Sequence, residues 1–112
     1  MKQLTHQQCL GADAALSRAF SLLGKRWTAV VLGTLGTGGP SGFRELSRAV
    51  GGISDSVLSD RLTELTQAGL ITRTVDAGPP ISVTYALSER GAALMPAFEQ
   101  ISTWAQEHLG DH

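Results

Sequence analysis

The stretch FRELSRAVGGISDSVLSDRLTELTQAG, residues 43–69, decides the fold. Phe43, Leu46 and Val50 fall on one face of a short helix that Ser41 or Gly42 caps. Gly51-Gly52 follows, and a chain that must reverse this sharply needs the positive φ that glycine adopts freely. Ser54 is a good N-cap for a second helix, in which Leu58, Leu62 and Leu65 form one apolar stripe. That helix ends at Ala68, with Gly69 placed for a left-handed cap. The reading is helix, glycine turn, helix.

Downstream, Ile71–Val75 and Ile81–Leu87 are rich in Ile, Val, Thr and Tyr, and Asp76-Ala77-Gly78-Pro79-Pro80 between them is turn chemistry. They read as a two-stranded hairpin, a wing on the helix pair. Ser88 then caps a helix over about 89–109, where Leu94, Phe98, Ile101, Ala105 and Leu109 repeat at helical spacing and Pro96 is expected to kink the early part. Upstream, Trp27, Val30, Val31 and Leu35 share a face of a largely buried helix over 26–35, which Gly36-Thr37-Gly38-Gly39-Pro40 should end. Before it, Ala12, Leu16, Ala19, Phe20 and Leu23 mark an amphipathic helix over about 12–23 that Gly24 stops. The fold class is α+β and mostly helical. It is a single winged helix-turn-helix domain over 1–112, with the helix pair at about 43–68, the wing at about 71–87 and an added helix at each end.

Composition bounds the rest. A chain of 112 residues, 42% hydrophobic and 17% charged, suits one domain and excludes two independent ones. Folding at this size buries roughly two-thirds of the chain's surface, enough for a core without disulfides or metal. Cys9 is the one cysteine, so no disulfide can form within the chain. His6, His108 and His112 have no carboxylate or cysteine at ligand spacing, and neither a metal site nor a cofactor is expected. An enzyme is not expected either, because Cys9 and His6 lack a third orienting residue and an oxyanion loop. With no apolar leader and no run near the ~20 residues of a bilayer span, a reducing, cytoplasmic setting without a membrane partner is expected. Nine basic against ten acidic residues, a net charge of -1, leave nucleic-acid binding to local clustering.

FREL (43–46), GGIS (51–54), VLSDRLTELTQAGLITR (57–73) and VTYALSERG (83–91), with GKRW (24–27) and the late Trp104, resemble the HxlR-type regulators within the wider MarR-like group. The resemblance covers Cys9 to about His108, and several motifs in one order are more specific than a lone helix-turn-helix pattern. It implies a homodimeric transcription regulator whose two recognition helices meet successive major grooves of double-stranded operator DNA, with wings along the backbone. Small polar side chains at Ser54, Ser56, Ser59 and Thr63 permit close approach to phosphates and base edges. Arg44, Arg48, Arg61 and Arg73, with Lys25 and Arg26, are the candidate phosphate-facing cations.

Three departures weaken the expected grip: Gly42, Ser56 and Ser82 stand where the relatives tend to carry basic residues. From Ser54 to Ala68, Arg61 stands against Asp55, Asp60 and Glu64, a net of -2 beside a polyanion. Modest, salt-dependent binding is expected. The rival reading is a winged helix whose acidic second helix docks a protein partner instead of DNA.

Leu16, Phe20, Leu23, Phe98, Ile101, Trp104 and Leu109 exceed what one small core needs and are the candidate dimer interface. Trp27 is read as core or interface and Tyr85 as a packing residue of the wing. Cys9 is expected just ahead of the first helix, where the partial positive charge of a helix N-terminus favours thiolate. The resemblance implies a sensor of oxidants or electrophiles there. No cation stands among its neighbours Gln7, Gln8, Leu10 and Gly11, and an inert thiol remains the alternative.

Overall fold

The computed structural model describes the backbone of residues 6–110 and the side chains of residues 14–110. In chain order the elements are α1 (His6–Leu23), α2 (Thr28–Gly38), α3 (Phe43–Val50), α4 (Asp55–Gln67), β1 (Ile71–Asp76), β2 (Ser82–Leu87), α5 (Glu89–Ala92) and α6 (Met95–His108). The hub is α2, which touches α1, α3, α4, α6 and β2. Its Val31, Leu32 and Leu35 meet Leu46 of α3, Ile53 of the turn, Leu58, Leu62 and Leu65 of α4, and Leu70 and Ile71 in one buried cluster. Each such side chain contributes on the order of 1.5–3 kcal/mol when fully removed from water.

The helix-turn-helix is built as its residues dictate. Gly42 is the N-cap of α3, and its N–H donates to Glu45 Oε1 at 2.9 Å. Gly51 and Gly52 take φ of 72° and 74°, and the space beside Gly52 is bounded by the Trp27 indole, 3.8 Å from where a Cβ would lie. Ser54 Oγ accepts the Val57 N–H at 3.1 Å to start α4. At the other end Gly69 is left-handed, and Leu70 N–H reaches back to the Leu65 carbonyl at 3.0 Å.

Other elements differ from the sequence reading. The glycines after Leu35 do not end α2: Gly36, Thr37 and Gly38 continue the helix, and the stop falls at Gly39, with φ 76°. Gly36 is a site of close approach, since a Cβ there would strike Met95 Sδ of α6. Val30 is outward-facing and Leu32 takes its place in the core. Ile81 lies outside β2 and is 74% exposed.

The helix expected over 89–109 is two helices, α5 and α6, broken at Ala93 and Leu94. Pro96 has no N–H to continue the ladder, so it sits in the first turn of α6, where none is needed.

β1 and β2 pair antiparallel from Ile71↔Leu87 to Asp76↔Ser82. Ser41 adds a one-residue bridge on the free edge of β2, exchanging hydrogen bonds of 2.9 and 2.8 Å with Tyr85. That bridge ties the loop before α3 to the wing.

An ionic cluster fastens α4 to the α1–α2 junction. Lys25 Nζ lies 3.0 Å from Glu64 Oε2, and Arg61 Nη2 donates to the same oxygen at 3.2 Å. Arg61 Nε stands 3.1 Å from Glu64 Oε1, an ion contact without hydrogen-bond alignment, and Nη1 reaches the Arg26 carbonyl at 3.5 Å. The hydrogen bond from Lys25, with the neighbouring Arg61 charge, outweighs partial desolvation and holds the Glu64 carboxyl below the ordinary carboxylate range.

Two outcomes follow from these contacts. Gly91 is buried, and a Cβ on it would run into the Leu70 carbonyl that accepts the Ser88 N–H at 3.0 Å. Gly91→Ala should therefore cost about 1–3 kcal/mol, read as a lower urea midpoint at constant slope; an unchanged midpoint would mean the backbone yields without strain. Because Glu64 has a depressed folded-state pKa, its stabilisation is complete above the ordinary carboxylate range and is lost as pH falls through the lowered value. The stability advantage of wild type over Glu64→Gln should hold from neutral pH to the top of that range and disappear in stronger acid. An advantage independent of pH would show that the cluster does not act through the charge of Glu64.

Candidate nucleic-acid interface

Burying the leucine stripe of α4 turns its opposite side out. Ser56, Ser59, Asp60, Thr63 and Gln67 are all exposed there, at the i, i+3, i+4, i+7 and i+11 spacing of one helix face. No large apolar side chain interrupts the row. Ser54 is exposed at its head, with its hydroxyl engaged in the cap. Gln67 continues the Ser59–Thr63 spacing, so the same periodicity that marks those two residues also marks it.

Arg44 and Arg48 stand one turn apart on α3, both exposed. Arg44 Nη1 lies 3.0 Å from Asp55 Oδ2 in the first turn of α4, and its guanidinium is 5.9 Å from the centroid of the Phe43 ring. Arg48 makes no ion pair among the described residues. Arg73 is the third residue of β1, opposite Tyr85, and lies beside α4 rather than at the hairpin tip. With Ser59, Thr63, Gln67 and Tyr85 it lines a groove of about 340 Å³ between α4 and the wing. The structure therefore brings Arg73 alongside the polar face of α4 at Ser59, Thr63 and Gln67, while Arg44 stands at the first turn of α4 beside Asp55.

Two other expected cations are placed elsewhere. Arg61 does not face outward: its side chain is 16% exposed and spent on Glu64 and the Arg26 carbonyl. Lys25 is held by the same carboxylate. The cause is spatial, because the α1–α2 junction closes over that flank of α4. Arg26 itself lies over the Trp27 ring, 5.0 Å from its centroid. Ser82 pairs with Asp76 at the far end of the ladder and carries no charge to the wing.

Of the candidate interface residues, Leu16 (61%), Phe20 (51%), Ile101 (49%), Trp104 (53%) and Leu109 (63%) are exposed on α1 and α6 or at the end of α6. Leu23 and Phe98 differ, being half-buried against the protomer's own core. The last turn of α1 and the first turn of α6 rest on the domain body, and the free apolar surface lies farther out. Cys9 is the fourth residue of α1, within the helix rather than ahead of it, and its side chain lies outside the described residues. Among the described residues no cluster of three His, Cys, Asp or Glu can hold a metal ion, and no helix is long and apolar enough to cross a membrane.

Known proteins share this fold. The chain is 38% identical over 92 residues to the HTH-type transcriptional regulator YodB of Bacillus subtilis, covering 82% of this chain and 81% of that protein. The reduced form of YodB superposes with a TM-score of 0.76 at 37% identity, covering 84% of this chain and 91% of that one. Its quinone-bound form gives 0.72 at 36% identity, with 83% and 96% covered. The HTH-type regulator YtcD of the same organism superposes with a TM-score of 0.80 at 30% identity over 86% and 97% of the two chains. A profile of the HxlR-like helix-turn-helix family matches residues 22–112, which takes in every element from the end of α1 to the C-terminus. The winged fold, the exposed polar helix and this match agree, and the chain belongs to the HxlR-like helix-turn-helix family.

Proposed function

We propose that this chain is a dimeric DNA-binding transcription regulator that works in the cytoplasm and responds to oxidants or electrophiles through Cys9. The observation that carries the DNA reading is the outward row Ser56, Ser59, Thr63 and Gln67, with Arg44 at its head, Arg73 along its side and Arg48 exposed on α3. Such a row can enter a major groove, where hydroxyls and an amide meet base edges, while the flanking guanidiniums meet phosphates and set position without reading sequence. α3 then crosses the backbone, and β1 brings Arg73 to the phosphates beside α4. A duplex with two-fold symmetry calls for two copies, and Leu16 and Phe20 of α1 with Ile101, Trp104 and Leu109 supply the apolar surface that would join them.

For the response to oxidants, the support is chemical and comparative. Cys9 is the sole thiol, so covalent switching of this chain begins there and an interchain disulfide must join two copies of it. The relative YodB has been solved in quinone-bound and diamide-treated forms. Because Cys9 is on α1, beside the surface proposed to join the two copies, an adduct or disulfide there would alter the spacing of the two α4 helices.

The DNA reading is tested by the salt dependence of duplex retention in gel shift. Arg48→Ala and Arg73→Ala should each lower the magnitude of the log–log salt slope by about 0.9 per contact in each subunit, equally on every sequence. Arg61→Ala should leave the slope alone and lower the melting temperature. If Arg73→Ala changes neither affinity nor slope, the wing is off the DNA.

The Cys9 reading has its own readout. Cys9→Ser should hold DNA as wild type does and ignore quinone or peroxide, whereas treated wild type releases it. Unaltered DNA affinity after mass spectrometry shows complete modification of Cys9 would make it an inert thiol.

A further inference from the structure

Every acidic residue of α4 except Asp60 is engaged by a cation in the structure, and the two engagements differ in kind. Glu64 holds Lys25 and Arg61 on the flank closed by the α1–α2 junction, where they support the fold. Asp55 holds Arg44 in the open, with the two side chains 56% and 71% exposed. Among the described residues neither side chain makes another ion pair, and the contact joins α3 to the first turn of α4.

We propose that Asp55 is an internal competitor for DNA phosphate, occupying Arg44 in the free protein and thereby lowering the affinity of the regulator for any duplex. The inference rests on the DNA-binding reading above and adds to it a residue that works against binding. Its carboxylate presents to Arg44 what a backbone phosphate would present: anionic oxygen at hydrogen-bond distance from a guanidinium. It also sits in the first turn of α4, where the positive end of the helix dipole favours an anion of either kind. Exposed ion pairs are weak, so a phosphate can displace the carboxylate. Two costs remain after displacement, since the pair is broken and the freed Asp55 charge stays beside the polyanion. Both apply to every sequence, because neither involves a base edge.

A duplex of arbitrary sequence, about 30 base pairs long, serves as the probe, titrated by fluorescence anisotropy at 50 and 200 mM salt. Asp55→Asn keeps the side-chain shape and leaves the Ser54 cap in place. It should bind more tightly than wild type, by roughly two- to thirtyfold for a pair of subunits, because one exposed ion pair in each no longer has to be broken.

In an Arg44→Ala background most of that gain should vanish, because there is no cation left to release. Asp60→Asn, which removes an exposed charge with no ion pair among the described residues, should give a gain that does not depend on Arg44. Equal gains from Asp55→Asn with and without Arg44 would reduce Asp55 to a general repulsive charge and overturn the proposal. So would unchanged binding by Asp55→Asn when wild type is retained. Failure of wild type and all variants to bind the duplex at low salt would instead remove the DNA reading, and this inference with it. Melting curves of each variant separate loss of fold from loss of grip.

Discussion

Leu58, Leu62 and Leu65 are buried against Val31, Leu32, Leu35 and Leu46, and the orientation of everything else on α4 follows from that contact. A helix thirteen residues long has only one face to give to a core. Once three leucines are dry on one side, Ser56, Ser59, Asp60, Thr63 and Gln67 must stand on the other. The Ser54 cap and the left-handed Gly69 set where the helix begins and ends, so that face has a defined length as well as a direction. Replacing one of these leucines with a polar residue would change the outward row without touching it, because the helix could no longer hold its rotation.

Charge sets a different limit. The outward row itself carries no cation, and α4 as a whole is acidic, so attraction to phosphate must come from neighbouring elements: Arg44 and Arg48 on α3 and Arg73 on β1. The Ser41 bridge to Tyr85 matters here, since it pins the loop before α3 to the strand that lies opposite Arg73. Arg44 at its first turn and Arg73 along its side are thereby held against one polar helix. Long-range attraction remains weak with a net charge of -1, and recognition has to rest on contacts made at close range, inside about one Debye length of 8–10 Å.

Much of this was legible in the chain. The Gly51-Gly52 turn, the Ser54 and Gly69 ends of α4, the leucine stripe and the hairpin each have a local cause, and local causes are what spacing and residue type record. The misreadings share the opposite property. Gly36 and Gly38 look like breakers, yet they continue α2 because Leu35 is anchored in the core and Met95 needs the space at Gly36. Pro96 looks like a kink, but a chain that breaks just before it can use it in the first turn of a new helix. Arg61 looks outward by its place in the sequence, and only the Lys25–Arg26 segment, thirty-five residues away from it at Arg26, reveals the flank as closed. The Arg44–Asp55 pair is equally invisible to spacing, because it spans two helices and the turn between them.

The closed flank also bears on how the two ends of the molecule communicate. α1 carries Cys9 and the exposed Leu16 and Phe20, while its end leads directly into Lys25 and Arg26. Lys25 holds Glu64, and the Arg26 carbonyl accepts from Arg61, so the residues immediately after α1 grip the middle of α4. Gly24 is the only residue between helix and grip, and its N–H is itself bonded to the Phe20 carbonyl at 2.8 Å, which leaves little slack. A change that reseats α1 must either break these polar contacts or carry α4 with it. Arg61 is the least exposed member of this cluster, at 16%, while Lys25 is half-exposed. A displacement of α1 is therefore coupled to α4 through Lys25, Arg26 and Arg61, contacts that join segments thirty-five residues apart at Arg26 and Arg61.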